Sequence, residues 1–290
     1  MRALAEFIMR GRMQATLVVV GSAILPLLFW LTASASALVL LRRGLNDAVG
    51  ILIWACLPAF VWWYFGDPGI ALTLVGTLVM AQVLRSTSSW TWVLAVSVVL
   101  GVMFAFLLSV TSPELVASLA EAFRGASKQF WSEAKLPAEQ LADMQASLVP
   151  TLTGLLASSF QATSILCLVL ARYWQASLYN PGGFGKEFRA VRLPPALAIV
   201  LLVGVLMPLQ GTDVPMLATI CAVPLLVAGL ALGHGLIEMK GLSSFWKIGL
   251  YVAVLLGGNL ICLLAVLDGL FDFRGRFERK QGSGPANGEG

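Results

Sequence analysis

Long uncharged apolar stretches follow one another along most of this chain, and they restrict its fold more than any other feature. A transmembrane helix needs about 20 apolar residues, each adding about 1.5 Å. Suitable stretches lie at about 13–41, 48–65, 69–84, 90–111, 148–171, 195–210, 214–237 and 246–268. Only 12% of the residues are charged, about half the share in soluble domains. The sequence therefore predicts an all-α polytopic transmembrane bundle of about eight or nine membrane helices in a lipid bilayer.

The first stretch, 13–41, is too long for one simple crossing and too short for two complete ones. Gly21 and Pro26 interrupt it, and helices commonly break or kink at such residues. We expect a helix from about 3 to 21, a break, and a shorter helix from about 27 to 41. Irregular backbone at membrane depth needs surrounding protein or a watery cavity. The sequence thus predicts a broken first membrane helix.

Basic residues concentrate between particular apolar stretches, which predicts the orientation of the chain. Arg42, Arg43, Arg85 and the segment 172–192 fall on one side of the predicted bundle, whereas the link at 66–69 has no positive charge. The positive-inside rule places the basic side, and with it the N-terminus, in the cytoplasm of a bacterial-type inner membrane. Counting crossings puts the basic segment 274–280 on the opposite side, unless one segment is re-entrant. Both alternatives stay open at this point.

The insertion 112–147 differs from the rest of the predicted membrane domain, 1–273. Ser112, Pro113 and Glu114 are typical of a helix start, and apolar residues then recur at helical spacing (Leu115, Leu119, Phe123 and Phe130). A second start at Pro137 leads directly into the next apolar stretch. We expect two amphipathic helices at the outer interface, serving as a lid or as a packed cap. The polar tail 274–290 is predicted to be disordered.

Among the polar residues within the apolar stretches are the amides Gln82, Gln161 and Asn259. Uncharged polar side chains are unfavourable in lipid, so we expect all three to face the bundle interior. Two roles are open for them, hydrogen bonding between helices and lining a ligand cavity.

The segment 179–195 contains a glycine cluster and basic residues, but it does not match a phosphate-binding loop. A Walker A motif requires glycine at 180 and Ser or Thr at 187, where this chain has Asn180 and Glu187. The segment is interpreted as a turn between two helices. Together with Arg172, its basic residues Lys186, Arg189 and Arg192 form a possible partner surface.

His234 is the only histidine, and Glu238 follows it by one helical turn. This polar pair could relay a proton or hold a metal with help from elsewhere, but a capped, hydrogen-bonded histidine at a helix end is the simpler explanation. The sequence contains no recognisable catalytic constellation, metal-ligand spacing or nucleotide motif, so we expect no enzymatic activity and no cofactor. A net charge of +4 is too small to suggest nucleic-acid binding.

Three sequence features resemble one known family when taken in order. The first is LLRRGL at 40–45. The second is the insertion, followed by a long helix that leads to RAVRLP at 189–194. The third is GLALGHGLIEMKG at 229–241 together with VLDGLFDFRGRF at 266–277. Together they resemble the YybS-like integral membrane family, which is distantly similar to the substrate-binding components of energy-coupling-factor transporters. The resemblance covers most of 1–280. It implies a small-molecule-binding bundle that works with a separate membrane subunit and an ATPase, although those components typically have six spans.

The expected function is binding or transport of a small molecule. Its site would lie near the break at 21–27, closed by the 112–147 insertion and lined by Gln161 and Asn259. The alternative is a membrane scaffold or assembly factor that acts through the basic segment 172–192.

Overall fold

The computed structural model describes residues 2–134, 137–210 and 214–275, and these residues form helices and connecting turns without any strand. The helices are α1 (Arg2–Arg10), α2 (Arg12–Ile24), α3 (Phe29–Arg43), α4 (Leu45–Tyr64), α5 (Gly69–Thr87), α6 (Trp90–Thr111), α7 (Pro113–Ala134), α8 (Ala138–Tyr179), α9 (Gly183–Arg189), α10 (Pro195–Leu206), α11 (Pro215–Met239) and α12 (Phe245–Phe271). Short 3-10 turns occupy Pro26–Leu28 and Met207–Gln210. Of the tail predicted to be disordered, 274–290, the part from 276 onward lies outside the described residues, whereas Arg274 and Gly275 are helical.

Six of the described helices are long and apolar enough to cross a membrane: α4, α5, α6, α8, α11 and α12. The helices α2 and α10 are apolar but shorter. Many large apolar side chains on the outside of the bundle are exposed, including Leu57, Phe106 and Leu166. A lipid environment satisfies such a surface, because the bilayer interior is itself apolar. The chain is therefore a helical membrane protein.

The first apolar stretch forms an antiparallel hairpin of α2 and α3. The hydroxyls of Ser22 and Thr32 lie 2.7 Å apart near its tip, and Arg43 Nη2 donates to the carbonyl oxygen of Met9, 3.0 Å away, at its open end. The 13 residues of α2 extend about 20 Å, less than the roughly 30 Å hydrocarbon core. The sequence predicts two successive pieces of one helix. In the structure they are two antiparallel helices, so the start of α2 and the end of α3 lie at the same end of the bundle.

The last helix, α12, also folds back on itself. Its backbone leaves the helical region at Gly257, where φ is −144° and ψ is 44°. Leu250 packs on Gly233 of α11, and Arg274, beyond the end of α12, packs on Gly235 of the same helix. A straight helix would separate residues 250 and 274 by about 36 Å, far more than these neighbouring contacts allow. Both ends of α12 therefore lie at the same end of the bundle, which agrees with a re-entrant segment, one of the two topologies left open by the sequence.

One end of the bundle collects the basic residues, and we call it the basic end. The guanidinium of Arg42 lies over the ring of Tyr179 at 4.0 Å, and Arg85 Nη1 donates to the carbonyl oxygen of Leu41 at 2.6 Å. Arg274 reaches the same end, where it donates to the carbonyl oxygen of Val191 at 2.8 Å. The predicted placement of the basic segments on one side is confirmed, and the end of α12 joins them there.

The insertion forms α7 and the first turns of α8 at the opposite end. The 42 residues of α8 extend about 63 Å, twice the hydrocarbon thickness, so its first turns project beyond the bundle. As predicted, the second amphipathic segment continues into the next apolar stretch without a break. Helix α7 buries Val116 and Ala120 but leaves Leu119 and Phe123 exposed. The side chain of Phe130 lies outside the described part of the structure.

Candidate functional site

Gln161 is the one predicted cavity residue that lies inside the bundle. It is fully buried on α8, where its Nε2 donates to the hydroxyl of Ser97 on α6 at 3.2 Å. Its Oε1 has no hydrogen-bond partner in the described residues. Nearby, the Ser164 hydroxyl lies 3.2 Å from the carbonyl oxygen of Thr73 on α5. This geometry corresponds to hydrogen bonding between helices, and Gln161 lines none of the five cavities described below.

The prediction that Gln82 and Asn259 also face the interior is wrong. Both are exposed in the chain, Gln82 on α5 near the basic end and Asn259 beside the kink of α12. The two side chains therefore lie on outer surfaces and do not converge with Gln161. A role in ligand binding remains a prediction for each of them, but the three do not form one site.

The region around the predicted break at 21–27 contains two apolar grooves on the outside of the bundle. One has a volume of about 420 Å³ and is lined by Ile24, Leu57, Pro58, Val61, Trp62 and Phe65. The other, about 450 Å³, is lined by Met13, Thr16, Leu17, Val20, Gly21, Ile24 and Trp54. The polar groups in these two linings are the Thr16 hydroxyl and the indole N–H groups of Trp54 and Trp62. The Thr16 hydroxyl donates to the carbonyl oxygen of Arg12 in its own helix. A specific small-molecule site normally has several convergent polar groups, which these grooves lack.

A third cavity, of about 300 Å³, lies where α7 begins and is lined by Trp63, Tyr64, Gly66, Thr111, Ser112, Pro113, Glu114 and Leu115.

Polar groups converge instead in a cavity at the basic end, between the ends of α3 and α5, helix α8 and helix α9. We call it the basic-end cavity. Its volume is about 520 Å³, and its lining consists of Leu41, Leu84, Arg85, Ser88, Arg172, Gln175 and Glu187. Two arginines and one glutamate give this lining a formal charge of +1. The cavity therefore combines suitable size with hydrogen-bond donors and positive charge.

One wall of this cavity is built by an ion pair between Arg172 on α8 and Glu187 on α9. Arg172 Nη2 and Nε both approach the Glu187 carboxylate, with Nη2 2.7 Å from Oε2 and Nε 3.1 Å from Oε1. The indole Nε1 of Trp90 donates to the same Oε1 at 2.7 Å. Such two-point contact restricts both side chains more than a single hydrogen bond does. Helices α6, α8 and α9 are thereby fixed to one another.

Arg85 forms the other charged wall, and its position depends on the end of α3. Its Nη1 donates to the carbonyl oxygens of Leu41 and Leu40, at 2.6 and 3.4 Å. These carbonyls belong to the last turn of α3, where the helix dipole favours a cation. A side chain at Gly44, where φ is +85°, would come within 2.9 Å of Arg85 Nη2. In the part of the chain that the structure describes, Nε and Nη2 of Arg85 have no hydrogen-bond partner.

The other residues of the predicted partner surface differ in their surroundings. Arg192 Nη1 lies 2.7 Å from the Asp272 carboxylate beyond α12, and Arg189 lies 3.8 Å from Glu238 on α11. Lys186 is exposed on α9. Arg274 holds the segment 189–192 in place: it donates to the backbone carbonyls of Arg189 and Val191 and forms an ion pair with Asp268. We call these contacts the Arg274 clamp. The segment 189–192 is therefore held by the end of the re-entrant hairpin.

His234 and Glu238 occupy one face of α11 but have different partners. The imidazole Nε2 of His234 lies 3.1 Å from the hydroxyl of Tyr251 on α12, whereas Glu238 is nearest to Arg189. The described residues contain no group of three or more His, Cys, Asp or Glu side chains that could hold a metal ion. Sequence reasoning did not place Arg85, Trp90 and Glu187 in one site. Glu187 lies 97 residues from Trp90 in sequence, and only tertiary packing brings it to Trp90 and to the cavity that Arg85 lines.

Comparison with known proteins found no matching family model, no matching curated protein and no matching solved structure.

Proposed function

We propose that this membrane protein binds a small anionic molecule in the basic-end cavity. The observation that carries the proposal is the pair of unpartnered N–H groups of Arg85 at a polar cavity of about 520 Å³. This volume lies within the usual range for small-molecule sites, about 300–1,000 Å³. A guanidinium group suits carboxylate and phosphate oxygens because its donors form a planar fork. The Ser88 hydroxyl provides another polar group in the same lining.

The arrangement of Arg85 supports a pre-organised site. Its Nη1 is already held by the carbonyls at the end of α3, so binding an anion at the remaining donors would restrict little additional motion. Arg172 adds positive charge, although Glu187 offsets most of it by direct pairing. Arg85 is thus the main anchor of the proposed ligand, and Arg172 and Glu187 shape the wall.

We further propose that binding serves transport in the manner of a transporter substrate-binding component, as the YybS-like resemblance implies. The basic end would face the cytoplasm of a bacterial inner membrane, and a separate membrane or ATPase subunit would supply energy. In this proposal α4, α5, α6, α8, α10 and α11 cross the membrane, while the α2–α3 hairpin and the folded-back α12 enter it without crossing, which makes eight membrane elements. The ligand site proposed here lies at the basic end, whereas the sequence predicts it near the break at 21–27.

The alternative function, a scaffold acting through the basic segment, needs arginines that can contact a partner. Arg172, Arg189 and Arg192 each lie within 4 Å of an acidic side chain of the same chain. Forming a contact with a partner would therefore require these pairs to be exchanged, which makes the ligand-binding function the better supported of the two.

The proposal is tested by ligand-induced thermal shift on the purified chain in detergent, screened against carboxylates, phosphates and vitamins. Arg85→Gln is expected to weaken binding of an anionic hit at least tenfold, because a charge-assisted hydrogen bond contributes about 1.5–3 kcal/mol. Lys186→Gln is the matched control, since it removes a positive charge at the same end outside the cavity. Equal loss of binding in both variants would contradict the assigned site. Capture of a protein partner that depends on Arg189 and Arg192, without any ligand hit, would favour the scaffold.

A further inference from the structure

We propose that a second cavity holds one anionic phospholipid from the membrane leaflet at the basic end. We call this cavity the aromatic groove; it lies between α8, α9, α11 and α12 and has a volume of about 310 Å³. It is separate from the basic-end cavity, and no residue lines both. The inference therefore does not depend on the proposed function.

The lining of the aromatic groove has an apolar part, deeper in the bundle, and a polar part, nearer the basic end. Leu166 and Val169 of α8, with Val227 and Leu230 of α11, form the deeper part. Because Leu166 is exposed on the outside of the bundle, this part is accessible from lipid. An acyl chain matches it, since such a chain offers apolar surface and no unsatisfied polar group.

The polar part lies nearer the basic end, at the level of lipid headgroups. Arg189, His234 and Tyr251 line it, and the His234 Nε2 and Tyr251 hydroxyl are 3.1 Å apart. The aromatic wall is continuous, with ring-centroid distances of 5.8 Å for Phe184–Phe188 and 5.9 Å for Phe188–His234. Arginine, tyrosine and histidine can all donate hydrogen bonds to phosphate oxygens. The groove thus has the polarity of an amphiphile with an anionic headgroup.

The charge of Arg189 is available for such a headgroup. Its pair with Glu238 spans 3.8 Å, and the side chains are 30% and 58% exposed. An ion pair of this length between partly exposed groups contributes little to the stability of the fold. Glu238 opposes a bound anion, but it is the more exposed partner and its charge is more strongly screened. Basic pockets between membrane helices are known to recognise anionic headgroups in this way.

The re-entrant fold of α12 creates one wall of the groove. Because the helix turns at Gly257, its first half lies against α11 and places Tyr251 beside His234. At the start of this half, Phe245 and Trp246 are exposed, as expected for aromatic residues at a membrane interface. The groove therefore opens where the headgroup and upper acyl region of one leaflet meet.

The test reconstitutes the full chain in nanodiscs of mixed phosphatidylglycerol and phosphatidylcholine and measures the lipids that it retains after extraction, by native mass spectrometry. Wild-type protein is expected to retain phosphatidylglycerol in preference to phosphatidylcholine. Arg189→Gln is expected to lower this preference about fivefold, in line with the contribution of one basic residue near an anionic headgroup. This variant keeps the backbone carbonyl that accepts from Arg274, so the Arg274 clamp is retained.

Two further variants make the result specific. Lys186→Gln removes a charge of the same sign on the same helix outside the groove and is expected to leave the preference unchanged. Glu238→Gln is expected to increase it, because it removes the competing carboxylate. Equal retention of both lipids by the wild type, or an unchanged preference in Arg189→Gln, would overturn the proposal. Displacement of phosphatidylglycerol by inorganic phosphate would also overturn it, since the site would then bind a soluble anion.

Discussion

Replacing Arg274 with methionine removes the cation of a buried ion pair. The Arg274 and Asp268 side chains are only 11% and 3% exposed, with Nη2 2.7 Å from Oδ2. Arg274 also donates to the carbonyl oxygens of Arg189 and Val191. Methionine has a comparable length but donates to none of these acceptors. The variant therefore leaves a buried carboxylate and two backbone carbonyls without their cationic donor.

The expected cost follows from the burial of Asp268. Removing one member of a buried pair typically destabilises a protein by about 3–5 kcal/mol, because the remaining charge is uncompensated. At about 2–4 °C per kcal/mol for a chain of this size class, the apparent melting temperature should fall by roughly 10 °C. The double variant Asp268→Leu/Arg274→Met removes both charges and should recover at least half of this loss.

The assay is thermal unfolding of the purified chain in one detergent, followed by the loss of a monodisperse size-exclusion peak after heating. Arg2→Met is the control, because it makes the same substitution in an exposed pair with Glu6, which should cost less than about 1 kcal/mol. Equal unfolding temperatures of Arg274→Met and Arg2→Met would contradict the predicted cost of the unpaired Asp268. A double variant less stable than Arg274→Met alone would contradict it as well.

Three further predictions concern topology, close packing and the buried amide. Accessibility tags at Lys186 and at the C-terminus should be labelled from the same side of the membrane, and a tag after Gly125 should be labelled from the other side. If the C-terminal tag is labelled from the same side as the tag after Gly125, the re-entrant α12 is contradicted. Gly154→Ala should destabilise the chain by about 1–3 kcal/mol in thermal unfolding, since a Cβ there would lie 2.5 Å from the Cα of Met216. Gly125→Ala, with open space around it, should instead raise stability by up to about 1 kcal/mol. Gln161→Leu should change stability by less than about 1.5 kcal/mol, because its Oε1 has no hydrogen-bond partner among the described residues, and it should leave ligand binding in thermal-shift measurements unchanged.

Local sequence patterns predicted the class of protein and the side on which its basic residues meet. Long apolar stretches indicate membrane helices because the bilayer leaves few other ways to satisfy the backbone. Basic residues at the ends of these stretches, such as Arg42, Arg85 and Arg172, indicate one common side. The start of α8 after Pro137 was also predictable, since the residues that begin a helix act within one turn.

The candidate site was only partly predictable. The sequence predicts Arg172 as a basic residue near a helix end, but nothing in it indicates that Glu187 is its partner, because Glu187 stands out only as a mismatch to a nucleotide motif. Trp90 donates to that same carboxylate from 97 residues away in sequence. For Gln82 and Asn259, polarity alone suggested the interior, yet the packing of neighbouring helices left both exposed.

Hydropathy and helix-start signals are local properties, so the residues alone specify a bundle of apolar helices with its charges at the ends. The hairpins formed by α2 with α3 and by the two halves of α12, which return to the side from which they start, become visible only in the fold. That outcome depends on contacts such as Ser22 with Thr32 and Leu250 with Gly233, which pack one helix against another. The same long-range packing, with α9 folded against α8, placed Arg85, Arg172 and Glu187 around one cavity.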